Sequence, residues 1–207
     1  MENKIPLEPA RSYHIYNHPN GFDDFFSNRN DYQKFLDGYV EYIVPICETF
    51  AYCFMPNHFH LFVQIKSESE LIKILRTNPG TKTVSNKTIS YRFSHFFNGY
   101  AQWYNKIYKR QGSLFRSGFK RKLVEDKEYF VDLVHYIHSN PVNAGIAKNI
   151  QQWEFSSYNQ ILSNASTFLN KAVVIDYFGD IDNFKFVHRN IFDPPSGGCD
   201  LFPSSGR

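Results

Sequence analysis

The sequence predicts an α+β fold, an antiparallel sheet with helices packed on one face. Three observations carry this expectation. Short runs rich in aromatic and β-branched residues recur between turn signals, and two of them are separated only by Met55-Pro56-Asn57. Longer segments between them repeat apolar residues every three or four positions. The resulting order is strand, helix, strand, strand, helix, strand, helix, so the hairpin-joined strands are antiparallel.

Each element has its own signal. "SYHIYNH" (Ser12 to His18), closed by Pro19-Asn20-Gly21, reads as the first strand. Tyr32, Phe35, Leu36, Tyr39, Val40 and Ile43 are spaced for a helix, with Asn30 or Asp31 as cap and Pro45 near its end. "AYCFMPN" and "FHLFVQI" read as a hairpin of strands. The next segment starts helical at "SESELIKIL", breaks at Asn78-Pro79-Gly80 and becomes a polar loop. Phe93, Phe96, Phe97, Tyr100, Trp103, Tyr104 and Ile107 then mark a long helix. "SLFRSGFKRKLV" reads as a fourth strand, and "KEYFVDLVHYIH" as a helix ending around Asn140-Pro141. The expected organisation is a main domain over 1–148, a C-terminal extension over 149–192 packed on or near it, and a mobile Pro/Gly/Ser-rich tail over 193–207.

Composition narrows the function. A chain of 207 residues supports one domain with a sizeable core, and its net charge of +3 permits a nucleic-acid partner without demanding one. The 21 Phe and 14 Tyr imply an aromatic core, rings reserved for stacking, or both. Cys47, Cys53 and Cys199 form no C-x-x-C pair, which speaks against a disulfide framework and a thiolate zinc site. No leader-like or membrane-spanning apolar run occurs, so the expected setting is cytoplasmic, with no membrane partner.

Two segments carry candidate chemistry. In a strand, residues i and i+2 share a face, so His58 and His60 project together as a two-point metal grip; otherwise they only cover one side of a sheet. On the last helix the stripe Phe130, Leu133, Val134 and Ile137 faces the core, while Asp132, Tyr136 and Asn140 form a separate ridge. Tyr136 is therefore a nucleophile candidate or an ordinary interfacial tyrosine, and Asn140 a ligand or a helix-ending residue. From Lys106 to Lys122 no acidic residue occurs. Lys109, Arg110, Arg116, Lys120, Arg121 and Lys122, interleaved with Tyr108, Phe115 and Phe119, suit a single-stranded backbone and unstacked bases, or else a solvated face. Arg116, Lys120 and Lys122, read as sharing one strand face, are the expected phosphate contacts. His14 and His95 read as ordinary packed or surface histidines.

"FMPNHFHLFVQ", then "QGSLFRSGFKRKLVEDKEYFVDLVHYIHSNPVNAGI" and "WEFSSY", resembles the single-tyrosine HUH transposases, named for histidine, hydrophobic, histidine. The resemblance runs from Tyr13 to Tyr158 and is closest to the REP-associated tyrosine transposases. It implies a ferredoxin-like sheet, the HUH nuclease fold, with 1–148 as the catalytic domain. By motif position it implies His58, His60 and Asn140 as ligands of a divalent metal, Mg²⁺ or Mn²⁺, and Tyr136 as nucleophile. The insertion-sequence branch more often has Gln or another ligand where Asn140 stands. The implied activity is cleavage and rejoining of single-stranded DNA at hairpin or repeat sequences through a 5′-phosphotyrosine. Family members act as monomers or homodimers, and no heptad here decides between them. The alternatives are a non-catalytic hairpin DNA- or RNA-binding module and, last, a zinc hydrolase, for which no Asp or Glu base stands beside the histidine pair.

Overall fold

The computed structural model describes residues 5–21, 24–75, 83–116 and 118–189. The break expected at Asn78-Pro79-Gly80 and the tail over 193–207 lie outside these residues. The chain forms β1 (Ser12–Asn17), α1 (Arg29–Tyr42), β2 (Cys47–Met55), β3 (His58–Ile65), α2 (Glu68–Ile74), α3 (Asn86–Ile107), β4 (Lys120–Val124) and α4 (Lys127–Asn143). A 3-10 turn (Ile150–Gln152) and the helices α5 (Tyr158–Leu162), α6 (Lys171–Phe178) and α7 (Ile181–Arg189) follow. The four strands lie in the order β2-β3-β1-β4, every pair antiparallel. With α2 as an added turn before α3, this is the β-α-β-β-α-β ferredoxin-like arrangement. Among the described residues no helix is long and apolar enough to cross a membrane.

Helices cover both faces of the sheet rather than one. Phe59 packs against Phe35 of α1 and Phe97 of α3, with ring centroids 5.2 and 5.3 Å away. Phe62, an odd number of residues further along β3 and hence on the other face, meets Phe130 of α4 at 4.6 Å. The reason is legible in β3, where Phe62 follows the histidines on their own face and needs cover. Gly38 lets α1 approach α3 closely, because a Cβ there would stand 3.2 Å from the Phe96 ring.

Several boundaries differ from the sequence expectation. Asn28, not Asn30 or Asp31, caps α1: its side chain accepts from Asn30 N and Asp31 N, and Asp31 accepts in return from Asn28 N. Ser85 caps α3, so Asn86 to Ser90, expected in the loop, form its first turn. α4 runs past Asn140-Pro141 to Asn143, because so near its end Pro141 removes only one helical hydrogen bond; Gly145, at φ +70°, closes it. β4 starts at Lys120 rather than Ser113. Upstream, Arg116 N donates to His18 O and Phe115 bridges Pro19, in a register shifted by two from the Tyr16–Lys120 pair. Arg116 therefore lies before the strand and does not share its face with Lys120 and Lys122.

Asp31, 1% exposed, also accepts from Ser27 N and from Tyr108 OH, which ties α1 to the end of α3. Asp31→Ala is expected to lower unfolding free energy by about 2–4 kcal/mol, since three donors lose their acceptor. Chemical denaturation checks this, and a loss under about 0.5 kcal/mol would contradict it.

Residues after α4 pack along β2. Phe54 N donates to Phe155 O, Trp153 Nε1 donates to Phe54 O, and Asn170 N donates to Thr49 O. A buried relay adds to this. His188 Nδ1 faces Phe184 O at 2.7 Å and must donate; its Nε2 therefore accepts from His138 Nδ1 at 2.8 Å. His138 Nε2 in turn accepts from Ser157 Oγ at 2.7 Å, and Ser157 Oγ accepts from Tyr52 N. One proton order thus links α7, α4, the start of α5 and β2.

Candidate metal and nucleophile site

β3 presents His58 and His60 toward α4, and α4 returns Tyr136 and Asn140 from neighbouring turns of one ridge. The four sequence-predicted residues therefore meet. His58 Nε2 is 3.3 Å from Asn140 Oδ1, the His58 and His60 centroids are 5.1 Å apart, and the Tyr136 ring meets His60 edge-on at 5.4 Å. His60 is 1% exposed, His58 and Asn140 7% each.

The hydrogen bonds fix what these atoms can do. His58 Nδ1 lies 2.7 Å from Asn57 Oδ1, an acceptor, so Nδ1 carries the proton and Nε2 a lone pair. The Asn140 amide donates from Nδ2 to Tyr136 O, so Oδ1 is the atom turned to His58. Two lone pairs then face each other with no proton between them. Protonating Nε2 would relieve this, but burial holds the His58 pKa down to about 4, against a weaker upward pull from Asn140. A divalent cation held by His58 Nε2 and Asn140 Oδ1 would relieve it instead, and their 3.3 Å separation is short enough for both to serve one ion. The donor set of imidazole nitrogens and an amide oxygen fits a divalent metal. Among the described residues no group of three or more His, Cys, Asp or Glu is arranged to hold a metal, so any centre here depends on the amide.

Burial pushes the Tyr136 hydroxyl up to about 12, with a side-chain hydrogen bond from Asn140 acting the other way. Unaided, the phenolate is scarce at neutral pH.

Sequence reasoning passed over two histidines of this site. His14 Nε2 is 2.9 Å from His60 Nδ1, and the His14 ring meets Tyr136 at 6.4 Å. His18 stacks on His58 at 5.3 Å. Their signal was the spacing of four from His14 in β1 to His18 just past its end, but the link of His14 to β3 needs the strand register.

The basic residues divide. Lys120 and Lys122 lie on the His14 face of β4, Lys122 with its ammonium 4.6 Å over the Tyr129 ring. Lys120 stands opposite Tyr16 and Arg116 N donates to His18 O; burial, then the charges of these two residues, lower the His18 pKa. Arg121 points to the opposite face, where Nε donates to Ile5 O and the guanidinium covers Phe119. Lys109 and Arg110 follow the end of α3, on the other side of the sheet from α4; Arg110 bonds to Asn105 and lies over Tyr104.

No protein-family model matches the sequence. The chain is 24% identical over 115 residues to a Haemophilus influenzae protein named, provisionally, a REP-associated tyrosine transposase; the match covers 55% of this chain and 60% of the relative's length. In three dimensions it is similar to a REP-associated tyrosine transposase solved with a bound REP hairpin, with a TM-score of 0.57 and 13% identity over 82% of this chain and 94% of that one. The resemblance read from the motifs thus recurs in an independent sequence comparison, and the fold is shared.

Proposed function

We propose that this protein is a metal-dependent single-tyrosine transposase that cleaves and rejoins single-stranded DNA at hairpin or repeat sequences. One observation carries the reading: His58 Nε2 lies 3.3 Å from Asn140 Oδ1, one helical turn from Tyr136 and beside His60. The likeness to a hairpin-bound transposase supports the substrate class.

In this reading His58, His60 and Asn140 hold Mg²⁺ or Mn²⁺, which when bound offsets charge on the scissile phosphate. α4 aims the Tyr136 hydroxyl at phosphorus, in line with the departing 3′ oxygen. The Tyr136 O–P bond forms, the P–O3′ bond breaks and the hydroxyl proton ends on the 3′ oxygen. A 5′-phosphotyrosine and a free 3′ hydroxyl result. Because the ester is exchanged rather than hydrolysed, another 3′ hydroxyl can displace Tyr136 and rejoin the strand without ATP. Arg116, Lys120 and Lys122 contact the backbone near the tyrosine. Lys109, Arg110 and Arg121, set off from this face, add longer-range attraction for the polyanion.

Incubation with hairpin-bearing single-stranded DNA and Mn²⁺ is expected to leave a denaturation-resistant adduct on the Tyr136 peptide. His58→Ala should abolish it while DNA affinity stays within about threefold, since that imidazole serves the cation rather than the backbone. A wild-type protein that binds such hairpins tightly but forms no adduct across a panel of them would leave the binding-module reading in place instead.

A further inference from the structure

We propose that His14 is a positioning residue for His60: its Nε2 accepts the His60 Nδ1 proton and thereby keeps the His60 Nε2 lone pair open to the cation. The inference rests on the metal reading above and adds a residue that the family motif does not contain. His60 Nδ1 is blocked as a ligand atom, because His14 Nε2 stands 2.9 Å from it. Nε2 is the remaining donor nitrogen, and an imidazole that ligates through Nε2 carries its proton on Nδ1. In the tautomer that keeps the His14 proton on Nδ1, an atom with no partner of its own among the described residues, His14 Nε2 takes up that proton across 2.9 Å.

His14 is well placed to hold this hydrogen bond. It is 1% exposed and sits opposite Phe62 of β3 and Lys122 of β4, so both neighbouring strands fix its backbone. Its ring lies against Tyr16 at 4.9 Å and meets His60 edge to edge, with centroids 5.1 Å apart. The same pattern holds for the other ligand, where Asn57 Oδ1 takes the His58 Nδ1 proton. The second partner is thus an amide for His58 and a neutral imidazole for His60, where metal-ligating histidines commonly use carboxylates. Neither partner brings negative charge, so the cation's full charge remains available to phosphate.

The test needs no DNA. Mn²⁺ affinity, by titration calorimetry or electron paramagnetic resonance, is expected to fall about 10–100-fold in His14→Phe, which keeps the ring and loses the acceptor. His14→Gln, which keeps an acceptor, should stay within about threefold of wild type. In ¹⁵N spectra of the Mg²⁺-loaded wild type, His60 should carry its proton on Nδ1, coupled to His14 Nε2. Unchanged Mn²⁺ affinity in a folded His14→Phe, or a proton on His60 Nε2 in the Mg²⁺ form, would overturn the proposal. If His14→Phe does not fold, the wild-type spectrum decides alone. A wild type that takes up no Mn²⁺, or a His58→Ala that binds it unchanged, overturns the metal reading itself, and the His14 role with it. Normal Mn²⁺ uptake that depends on His58 but not on His14 removes only the role of His14.

Discussion

Tyr136→Phe is expected to lower covalent adduct formation by about 10⁴-fold or more while leaving the fold and DNA affinity intact. The substitution removes the hydroxyl and, with it, its side-chain hydrogen bond with Asn140. The ring keeps its edge contacts with His60 at 5.4 Å and His14 at 6.4 Å, and Asn140 keeps its bond to the backbone carbonyl of residue 136. The hydroxyl itself is held mostly protonated by burial, with a pKa near 12, so losing it costs no ionised group in the folded state. Single-turnover assays on denaturing gels, with hairpin DNA and Mn²⁺, measure the loss directly. The competing tyrosine is Tyr129, two turns earlier on α4, whose hydroxyl is buried and whose ring lies under Lys122. An adduct that persists in Tyr136→Phe and maps to Tyr129 would show that the nucleophile is misassigned.

The second large effect is acid destabilisation. His138 is fully buried and His188 is 5% exposed; burial is the first cause that lowers both pKa values, His138 well below the usual range and His188 to about 3. A further proton on His188 Nε2 would meet the N–H of His138 across 2.8 Å. Because the folded pKa values lie below the unfolded value of about 6.5, the unfolded chain binds more protons in the interval between them. Stability is complete above pH 6.5 and declines as pH falls through it. Each ring contributes a slope approaching about 1.4 kcal/mol per pH unit, so the pair should cost about 4 kcal/mol between pH 7 and pH 5. That is a large share of an ordinary domain's stability. His14 and His58, lowered to about 3 and 4, act in the same direction. Denaturant titrations at pH 7.5, 6 and 5 measure the slope, and His188→Gln, which keeps an acceptor for His138, should reduce it by nearly one proton. A midpoint indifferent to pH across this range would refute the assignment.

The grouping of His58, His60, Tyr136 and Asn140 was legible because local spacing pairs them and the motif order that carries the family resemblance joins the pairs. The interval of two between His58 and His60 and the interval of four between Tyr136 and Asn140 fix a shared face whatever the tertiary structure does. His14 and His18 escaped because their partners are set by the β1–β3 register, in which His14 stands opposite Phe62, a relation no local window contains. The relay of Ser157, His138 and His188 was hidden for the same reason, its members lying on three separate helical segments. Helices were expected on one face only, although the apolar run of β3, with Phe59 and Phe62 on opposite faces, calls for cover on both. Arg116 was misplaced as well. The strand pattern extends to Ser113, but pairing lapses after Tyr16–Lys120 and resumes at Pro19–Phe115 in a register shifted by two, a change no local window reveals.

The sheet's two rims differ. The outer rim of β2 is occupied by the backbone of Phe155 and by a bridge at Leu169, whereas β4 ends the sheet on its far side, with no described strand beyond it. An open rim of this kind is a template on which a second copy can add its own strand. Here it spans five residues and carries Lys120, Arg121 and Lys122 in succession, so two copies brought rim to rim would repel each other. On the proposed reading, the same row of charge that would draw a polyanion to the rim would also oppose strand pairing with a second copy there.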